Sequence, residues 1–384
     1  MDFQDTAEQL ALRAAVASIS ADFGGGYYAE RAEAGEPTTE LWQALAAGGY
    51  IGINISPDYG GGGAGLAELA IVCEETAAQG CPLLLLLVSS AICGEVISRY
   101  GSPEQRKQWL PPLASGQAKV VFAITEPDAG SNTRNLSTTA TCSDGEWVLN
   151  GTKYYISGVD EADALLVVAR TGTDPATGHA RLSLFLVDAD AAGLVSQPLP
   201  VSARLPERQF TLYFDQVRVG ADRLVGAQDE GFEQVFHGLN PERITGAAVC
   251  VGIGRYALGK AAQYARTRTV WDAPVGAHQG VSHPLAEAKI AVELAALMTA
   301  KAAWLHDNDK PAGEAANMAK FAAADAALAA VDAAIQTHGG NGLSREYGLV
   351  PLWGLARLLR IAPVSREMIL NHVASHSLGL PRSY

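Results

Sequence analysis

The chain contains 384 residues, enough for two or three domains, and 48% hydrophobic against 18% charged residues excludes an intrinsically disordered protein. Acidic residues outnumber basic ones by 41 to 28, and the resulting net charge of −13 argues against nucleic-acid binding, which needs a basic surface. The five cysteines include no Cys-x-x-Cys pair, so we expect reduced thiols rather than a disulfide framework or a metal site.

Two features at the sequence level concern the cellular location. The N-terminal residues 1–5 are acidic and lack the apolar segment of a signal peptide. The longest apolar run, residues 82–88, is far shorter than the roughly 20 residues that span a bilayer. We therefore expect a cytoplasmic protein that does not insert into membranes.

Residues 1–118 have the texture of a helical domain. Apolar residues recur at helical spacing in three segments, residues 7–15, 41–45 and 66–78. Pro103 predicts a further helix start, and Pro111 with Pro112 predicts its end. Residues 50–55 look like a strand, and the glycine-rich run at 60–65 formally matches a dinucleotide-binding loop. Because no βαβ alternation follows, a simple loop is the favoured interpretation.

Residues 119–230 change to a β pattern. Short β-type runs occur at 120–124, 165–169, 182–187 and 210–219. Asn150-Gly151 between two further runs predicts a hairpin with a tight turn, since this pair suits a type I′ turn. The segment 125–132 after the first run is either an ordinary turn or a loop for a phosphate or a ring edge.

Residues 231–384 return to a helical pattern, and their long helices can pack as an antiparallel bundle. Long alanine-rich helices are expected at 247–268, 285–304 and 315–337. The segment Asn240-Pro241-Glu242 predicts a helix start, with Asn240 as the N-cap and Pro241 at the first helical position. Spacing alone favours a structural role for Glu242, as an acid that compensates the helix dipole. The glycine-rich segment 338–342 is either a helix C-cap or a place where backbone approaches a ligand. The predicted fold class is thus α+β, with domains 1–118, 119–230 and 231–384.

Several motifs, taken in order, resemble those of the FAD-dependent acyl-CoA dehydrogenases over nearly the whole chain. They lie at residues 57–61, 100–105, 124–131, 150–157, 264–268, 278–279 and 336–342. The resemblance implies an N-terminal helical domain, a middle β domain and a C-terminal four-helix bundle. It also implies non-covalently bound FAD and α,β-dehydrogenation of an acyl-CoA thioester in fatty acid metabolism. It also implies an electron-transfer flavoprotein as the electron acceptor and a homo-oligomer, by family norm a tetramer.

The resemblance carries cofactor roles onto two sets of residues. The first set would line the flavin bound to the same chain: Ile124, Thr125, Gly130, Ser131, Tyr155 and Ser157. Ser365 and Glu367 are further predicted cofactor-binding residues. The second set would reach the FAD of a neighbouring subunit: Arg268, Gln279, Gln336, Gly339 and Gly340. Two departures from the family pattern, Asn132 for an Asp and Trp271-Asp272 for Phe-Gly, affect fine geometry more than flavin binding.

The catalytic base is the main departure from the commonest family pattern. Most members carry a catalytic Glu in a loop near the C-terminus, where this chain has Pro363. Members similar to the isovaleryl and long-chain enzymes instead place a Glu before an Arg on an earlier helix, and this chain has Glu242-Arg243 there. The resemblance therefore implies that Glu242 removes the α-proton, while Asn240, Arg243 and Ser131 help to bind the substrate.

Two alternatives to a dehydrogenase remain open at the sequence level. One is a flavin-dependent oxidase or monooxygenase on the same scaffold. The other is a flavin- or CoA-binding subunit without catalysis, against which the intact cofactor motifs argue. The acyl group is not readable from the sequence, although the resemblance at Glu242 implies branched or bulky chains.

Overall fold

The computed structural model describes residues 4–382, and its first region is a set of helices. They are α1 (Ala7–Ala21), α2 (Gly24–Ala34), α3 (Thr39–Ala47), α4 (Leu66–Ala78), a π-helical segment (Leu86–Gly94), α5 (Glu95–Tyr100) and α6 (Pro103–Ala114). Local sequence starts two of them: Thr6 with Gln9 and Ser102 with Gln105 form capping boxes that satisfy free N–H groups.

Two expectations for this region were wrong. Residues 50–55 form turns rather than a strand, and α6 continues past Pro111 and Pro112 to Ala114. The prolines remove backbone donors, but Leu110 and Leu113 are buried on the same turns, so packing holds the end of the helix. The helix predicted at 66–78 is confirmed as α4.

The glycine-rich run at 60–65 is confirmed as a loop. The N–H groups of Gly62, Gly63 and Ala64 donate to carbonyls of the preceding segment, those of Gly52, Ile55 and Ile53. These donors are used within the chain and do not form a phosphate cradle.

A mainly antiparallel sheet forms the middle of the molecule. Its strands are β1 (Val120–Ala123), β2 (Thr139–Ser143), β3 (Glu146–Ser157), β4 (Ala164–Thr173), β5 (Ala180–Asp188), β6 (Leu194–Pro198), β7 (Gln209–Gly220) and β8 (Leu224–Val225). The order is β6-β7-β3-β2-β4-β5-β8, with β1 parallel to β4. The strands predicted around 120–124, 165–169, 182–187 and 210–219 are confirmed.

The predicted hairpin at Asn150-Gly151 was wrong, because β3 runs straight through both residues. The tight turn lies at Asp144-Gly145, where both φ angles are positive. At Asn150 the strand instead has a register shift against β7, and the Asn150 Oδ1 accepts the N–H of Gln216 at 2.8 Å. The local turn preference is overridden by long cross-strand pairing on both sides of β3.

The last region is a helical bundle that packs against α4 and the π-helical segment. Its elements are α7 (Gly231–Thr267), a small hairpin of β9 (Thr269–Val270) and β10 (Ala273–Pro274), α8 (Gln279–Asp307), α9 (Gly313–His338), α10 (Leu349–Ile361) and α11 (Arg366–His372). Small residues let the helices approach closely: a Cβ on Gly252 of α7 would lie 2.3 Å from the Glu74 carbonyl of α4. The helix–sheet–helix architecture expected from the sequence is confirmed.

The predicted helix start at Asn240 was wrong. Helix α7 begins at Gly231 and includes Pro241 in its interior, so Asn240 is not an N-cap. The earlier turns form because they pack: Val235 is buried, and a Cβ on Gly238 would lie about 3 Å from Val96 and Ile92. Tertiary contacts here outweigh the lost backbone bond of the proline. Within residues 4–382, no helix combines the length and hydropathy needed to cross a bilayer.

Candidate active site

Glu242 lies in α7 directly after Pro241, facing the interior of the molecule. Its side chain is half-buried, and no salt bridge reaches its carboxylate among residues 4–382. Burial raises the pKa of Glu242 to about 7, although the nearby cations of Arg243 and Lys320 oppose that rise. A carboxyl group with a pKa near neutrality and no fixed partner is suited to accept a proton from a substrate.

Two polar neighbours of Glu242 on α7 form a small donor site. The Arg243 guanidinium is buried and donates from Nη1 to the Asn240 Oδ1 at 2.8 Å. The Arg243 Nε has no hydrogen-bond partner among the described residues. Since a buried guanidinium rarely leaves a donor unused, this group is available to an acceptor on a ligand.

The π-helical segment forms the opposite wall near Glu242. Positions one turn before and one turn after Glu242 approach this segment: a Cβ on Gly238 would lie 3.0 Å from Ile92, and a Cβ on Gly246 would lie 3.6 Å from Leu87. Burial raises the pKa of the Cys93 thiol, and the negative charge of Glu242 raises it further. The same wall is largely apolar, because Leu86, Leu87, Ala91 and Ile92 are buried. Glu242 therefore lies beside a water-poor surface on this side.

The loop at residues 362–365 joins α10 to α11 at the bundle edge. Pro363 and Val364 are half-buried, and the Ser365 hydroxyl accepts the N–H of Met368 as the N-cap of α11. The Lys320 Nζ donates to the Val364 carbonyl at 2.6 Å. Lys320 was missed at the sequence level, where it is one lysine in an alanine-rich helix. Glu367 follows on α11 and is exposed.

The motif residues of β1 and β3 come together at one edge of the sheet. The N–H of Tyr154 donates to the Thr125 carbonyl at 2.8 Å, and the Lys153 Nζ donates to the Ile124 carbonyl at 2.9 Å. The order of the motifs could not reveal this contact, since about 30 residues separate the paired positions.

A buried ion pair holds this edge, and its members were also missed at the sequence level. The Lys153 Nζ lies 2.8 Å from the Glu126 Oε1, and both side chains are buried. Glu126 also accepts the N–H groups of Ser137 and Thr138. Burial alone would raise the pKa of Glu126, but Lys153 and these donors lower it to about 2, so the carboxylate is charged.

The predicted flavin contacts at this edge differ in exposure. Gly130, Ser131 and Tyr155 are exposed, while Ile124 and Thr125 are half-buried. No atom lies within 4 Å of the place where a Cβ on Gly130 would be. Tyr155 is 53% exposed. Its backbone φ is positive, at the point where the pairing of β3 with β7 shifts register. An open edge that combines apolar, hydroxyl and aromatic groups fits a flat polar ring system.

Ser157 occupies a half-buried position on β3 near the end of this edge. Its hydroxyl is engaged twice with the Gln209 side chain: it donates to the Oε1 at 3.1 Å and accepts from the Nε2 at 2.9 Å. In this arrangement the hydroxyl can still accept one further bond. Ser157 is therefore a candidate cofactor contact whose hydroxyl already has a partner within the chain.

The second set of predicted cofactor residues lies at one end of the helical bundle. Arg268 ends α7, Gln279 begins α8, and Gln336 lies in the last turn of α9. All three side chains are exposed. The rings of Tyr264 and His338 are 4.4 Å apart, which brings the ends of α7 and α9 together.

This end of the bundle offers open space beside backbone. A Cβ added to Gly339 or Gly340 would meet no atom within 4 Å, and Gly339 has a φ of 60°. An open cleft of about 590 Å³ between α8 and α9 is lined in part by Gln336. The exposed Arg268 guanidinium and the accessible backbone beside glycine fit an anionic dinucleotide.

The two sets of predicted cofactor residues are separate within one chain. In the described part of the chain, no hydrogen bond or salt bridge joins the sheet edge around Thr125 and Ser131 to the bundle end around Arg268 and Gly339. The bundle end instead makes its own contacts, such as the bond from the Asn341 Nδ2 to the Tyr264 hydroxyl at 3.2 Å.

Comparison with known proteins gives consistent matches along the chain. Residues 6–117, 121–217 and 229–378 match the models of the acyl-CoA dehydrogenase N-terminal, middle and C-terminal domains. Acyl-CoA dehydrogenase FadE12 of Mycobacterium tuberculosis is 53% identical over 384 residues, covering 100% of this chain and 99% of that protein.

Solved structures share the whole fold. Butyryl-CoA dehydrogenase from Megasphaera elsdenii superposes with a TM-score of 0.92 at 28% identity, covering 98% of this chain and 100% of that one. A chain from a study of the electron transferring flavoprotein of Acidaminococcus fermentans superposes with a TM-score of 0.92 at 27% identity, covering 98% and 99%.

Proposed function

This chain belongs to the acyl-CoA dehydrogenase family, and we propose that Glu242 is the base that removes the α-proton of its acyl-CoA substrate. The protein is an FAD-dependent acyl-CoA dehydrogenase, an oxidoreductase that introduces an α,β double bond into a thioester. FAD, when bound, supplies the acceptor for the hydride that leaves the β-carbon.

The observation that carries the assignment is the environment of Glu242. An α-C–H is a weak acid, so its removal needs a base that is poised near the working pH and shielded from water. Glu242 has a pKa of about 7, raised by burial, and lies beside the apolar π-helical wall. Pro363, at the position of the commoner family base, has no acidic group.

Substrate positioning is the next part of the proposal. The buried Arg243, with its unpaired Nε, would donate to an oxygen of the acyl-CoA, and Asn240 would hold the guanidinium in place. The exposed Ser131 would contact the ligand from the sheet side. These roles use a donor that has no acceptor within residues 4–382, the Arg243 Nε, and a hydroxyl that is exposed, that of Ser131.

The proposal also assigns cofactor contacts. We place the flavin ring system against the sheet edge of Ile124, Thr125, Gly130, Ser131, Tyr155 and Ser157, with Ser365 and Glu367 as further contacts. A neighbouring subunit would reach the same cofactor with Arg268, Gln279, Gln336, Gly339 and Gly340. Support comes from the exposure of Gly130, Ser131 and Tyr155 in the first set, from the exposure of the whole second set, and from the separation of the two sets within one chain.

A homo-oligomer follows from that sharing, and we propose a homotetramer. Helix α8 supports it with an apolar stripe that lacks a partner within the described chain: Ile290, Leu294 and Leu297 are 61%, 62% and 51% exposed. Large exposed apolar side chains at helical spacing are typical of a subunit interface. Sedimentation velocity would detect the tetramer, and a monomer that retains FAD would contradict it.

The proposed setting is cytoplasmic acyl-CoA metabolism, with an electron-transfer flavoprotein as the acceptor. The match to the Acidaminococcus chain supports this acceptor at the level of similarity. A stopped-flow assay of the reduced enzyme with oxygen and with such a flavoprotein separates a dehydrogenase from an oxidase.

The experiment that tests the base is Glu242→Gln in the flavin-loaded enzyme. An anaerobic screen of acyl-CoA thioesters for flavin bleaching first identifies a substrate. The Gln variant should then bind FAD and thioester but lose turnover about 10²–10⁴-fold, the usual contribution of a general base. Wild-type turnover in this variant would exclude Glu242.

A further inference from the structure

Lys320 is a charged side chain in the interior of the bundle. It lies in the middle of α9, only 2% exposed, among buried alanines such as Ala319 and Ala323. Its Nζ donates to two backbone carbonyls, those of Arg360 at 3.1 Å and Val364 at 2.6 Å. Burying an ammonium group without a direct carboxylate partner costs free energy, so these two bonds mark a specific requirement.

The two acceptor carbonyls lie at opposite ends of the loop at residues 362–365. Arg360 is in the last turn of α10, and Val364 precedes the N-cap of α11. One lysine therefore fixes both ends of the loop in which Pro363 stands. Asp325, on the same helix as Lys320, adds salt bridges to Arg360 and Arg366 at 2.6 and 3.2 Å.

Lys320 lies on α9, which packs against α7, the helix that carries Glu242. Its positive charge opposes the burial that raises the pKa of Glu242. The other ionisable groups around the two side chains are Arg243 and Cys250 on α7, Cys93 on the π-helical segment and Asp325 on α9. Burial lowers the pKa of Lys320 itself to about 8, so it carries its charge at neutral pH.

We propose that Lys320 is a positioning residue for the dehydrogenation: its buried ammonium group holds the loop of residues 362–365 against the bundle and places a positive charge on the side of α9 that packs against α7. This inference rests on the proposed role of Glu242. The two effects are separable, because the hydrogen bonds act on the loop and the charge acts on the carboxylate.

Three substitutions separate the effects in the flavin-loaded enzyme. Lys320→Gln keeps a donor but removes the charge, Lys320→Arg keeps the charge, and Lys320→Met removes both. We expect the acidic limb of the kcat/KM profile to move to higher pH by about one unit in the Gln and Met variants, because loss of a nearby cation raises a carboxyl pKa. The limb should stay in place in Lys320→Arg.

The matched control is Asp325→Asn, which loosens Arg360 and Arg366 but leaves Lys320 in place. It should lower the melting temperature without moving the acidic limb. Lys320→Met should also lose kcat at saturating pH, by about tenfold or more, whereas Lys320→Gln should lose less because it can still hold the loop.

Glu242→Gln, measured in the same assays, distinguishes an error in the role of Lys320 from an error in the assignment of Glu242 as the base. If Glu242→Gln is inactive but the Gln and Met variants at 320 keep the wild-type limb and kcat, the role of Lys320 is wrong. If Glu242→Gln turns over normally, the base assignment is wrong instead. Should Lys320→Met fail to fold, the comparison of the Gln and Arg variants still decides the question.

Discussion

The Lys153 ammonium and the Glu126 carboxylate lie 2.8 Å apart, both buried where β3 passes the end of β1. This pair joins the two segments that carry the predicted flavin contacts. Lys153 also bonds the Ile124 carbonyl, and Glu126 bonds the backbone of residues 137 and 138. The ion pair therefore sets the shape of the proposed cofactor-binding edge without itself facing the open surface.

Breaking this pair should weaken both the fold and cofactor binding. Glu126→Gln leaves a buried lysine without its counter-charge, a change that costs about 3–5 kcal/mol. We expect a lower free energy of unfolding in urea and a reduced flavin-to-protein absorbance ratio. The exposed pair of Glu146 and Arg218 on the same sheet is the control, and Glu146→Gln should change stability by less than about 1 kcal/mol.

The pH dependence of catalysis should report the environment of Glu242. As a base, Glu242 must be ionised, so kcat/KM should rise with pH through an apparent pKa of about 7. A rise centred near 4.5, the ordinary value for a glutamate, would mean that burial does not control the base. A kinetic isotope effect with an α-deuterated substrate would show that the limb belongs to the proton-removal step.

The raised pKa of Glu242 should also make the free energy of unfolding depend on pH. Because the folded pKa of Glu242 lies above its unfolded value, this group destabilises the fold progressively as pH rises from about 4.5 to about 7. Glu242→Gln removes the effect and should stabilise the protein at pH 8 by on the order of 2 kcal/mol, but not at pH 4. Equal shifts at both pH values would contradict the assignment.

Arg268 should couple flavin content to assembly. Arg268→Ala removes a guanidinium proposed to contact the FAD of a neighbouring subunit, so the variant should retain less FAD after gel filtration. Arg266→Ala is the matched control, since Arg266 is also exposed in the last turn of α7. A complex structure in which each FAD contacts one chain only would refute the shared site.

The loop at 362–365 should supply a donor to the thioester oxygen. Pro363 has no N–H, and we expect the N–H of Val364 to take that role, because proline restricts φ and can aim the next amide. Lys320 holds the Val364 carbonyl, which restrains the same loop. A substrate-analogue complex checks the distance: a Val364 nitrogen more than about 3.5 Å from the thioester oxygen would rule this donor out.

The local sequence by itself determined several of the helices and strands. The periodicity at 66–78 predicts α4 with its exact bounds, and the β-type runs predict four strands, because hydrophobic spacing reports which face of an element is buried. The motifs identified the family, and the paired changes at Pro363 and Glu242 pointed to the candidate base.

Other features were decided by tertiary structure alone. The turn signal at Asn150-Gly151 lost to the pairing of β3 with β2 and β7, and the proline at 241 did not stop α7, whose first turns pack against the π-helical segment. The bonds of Lys153 to Ile124 and of Lys320 to Val364 join positions 29 and 44 residues apart. Such contacts depend on how elements pack, and a local pattern carries no record of a partner that far along the chain.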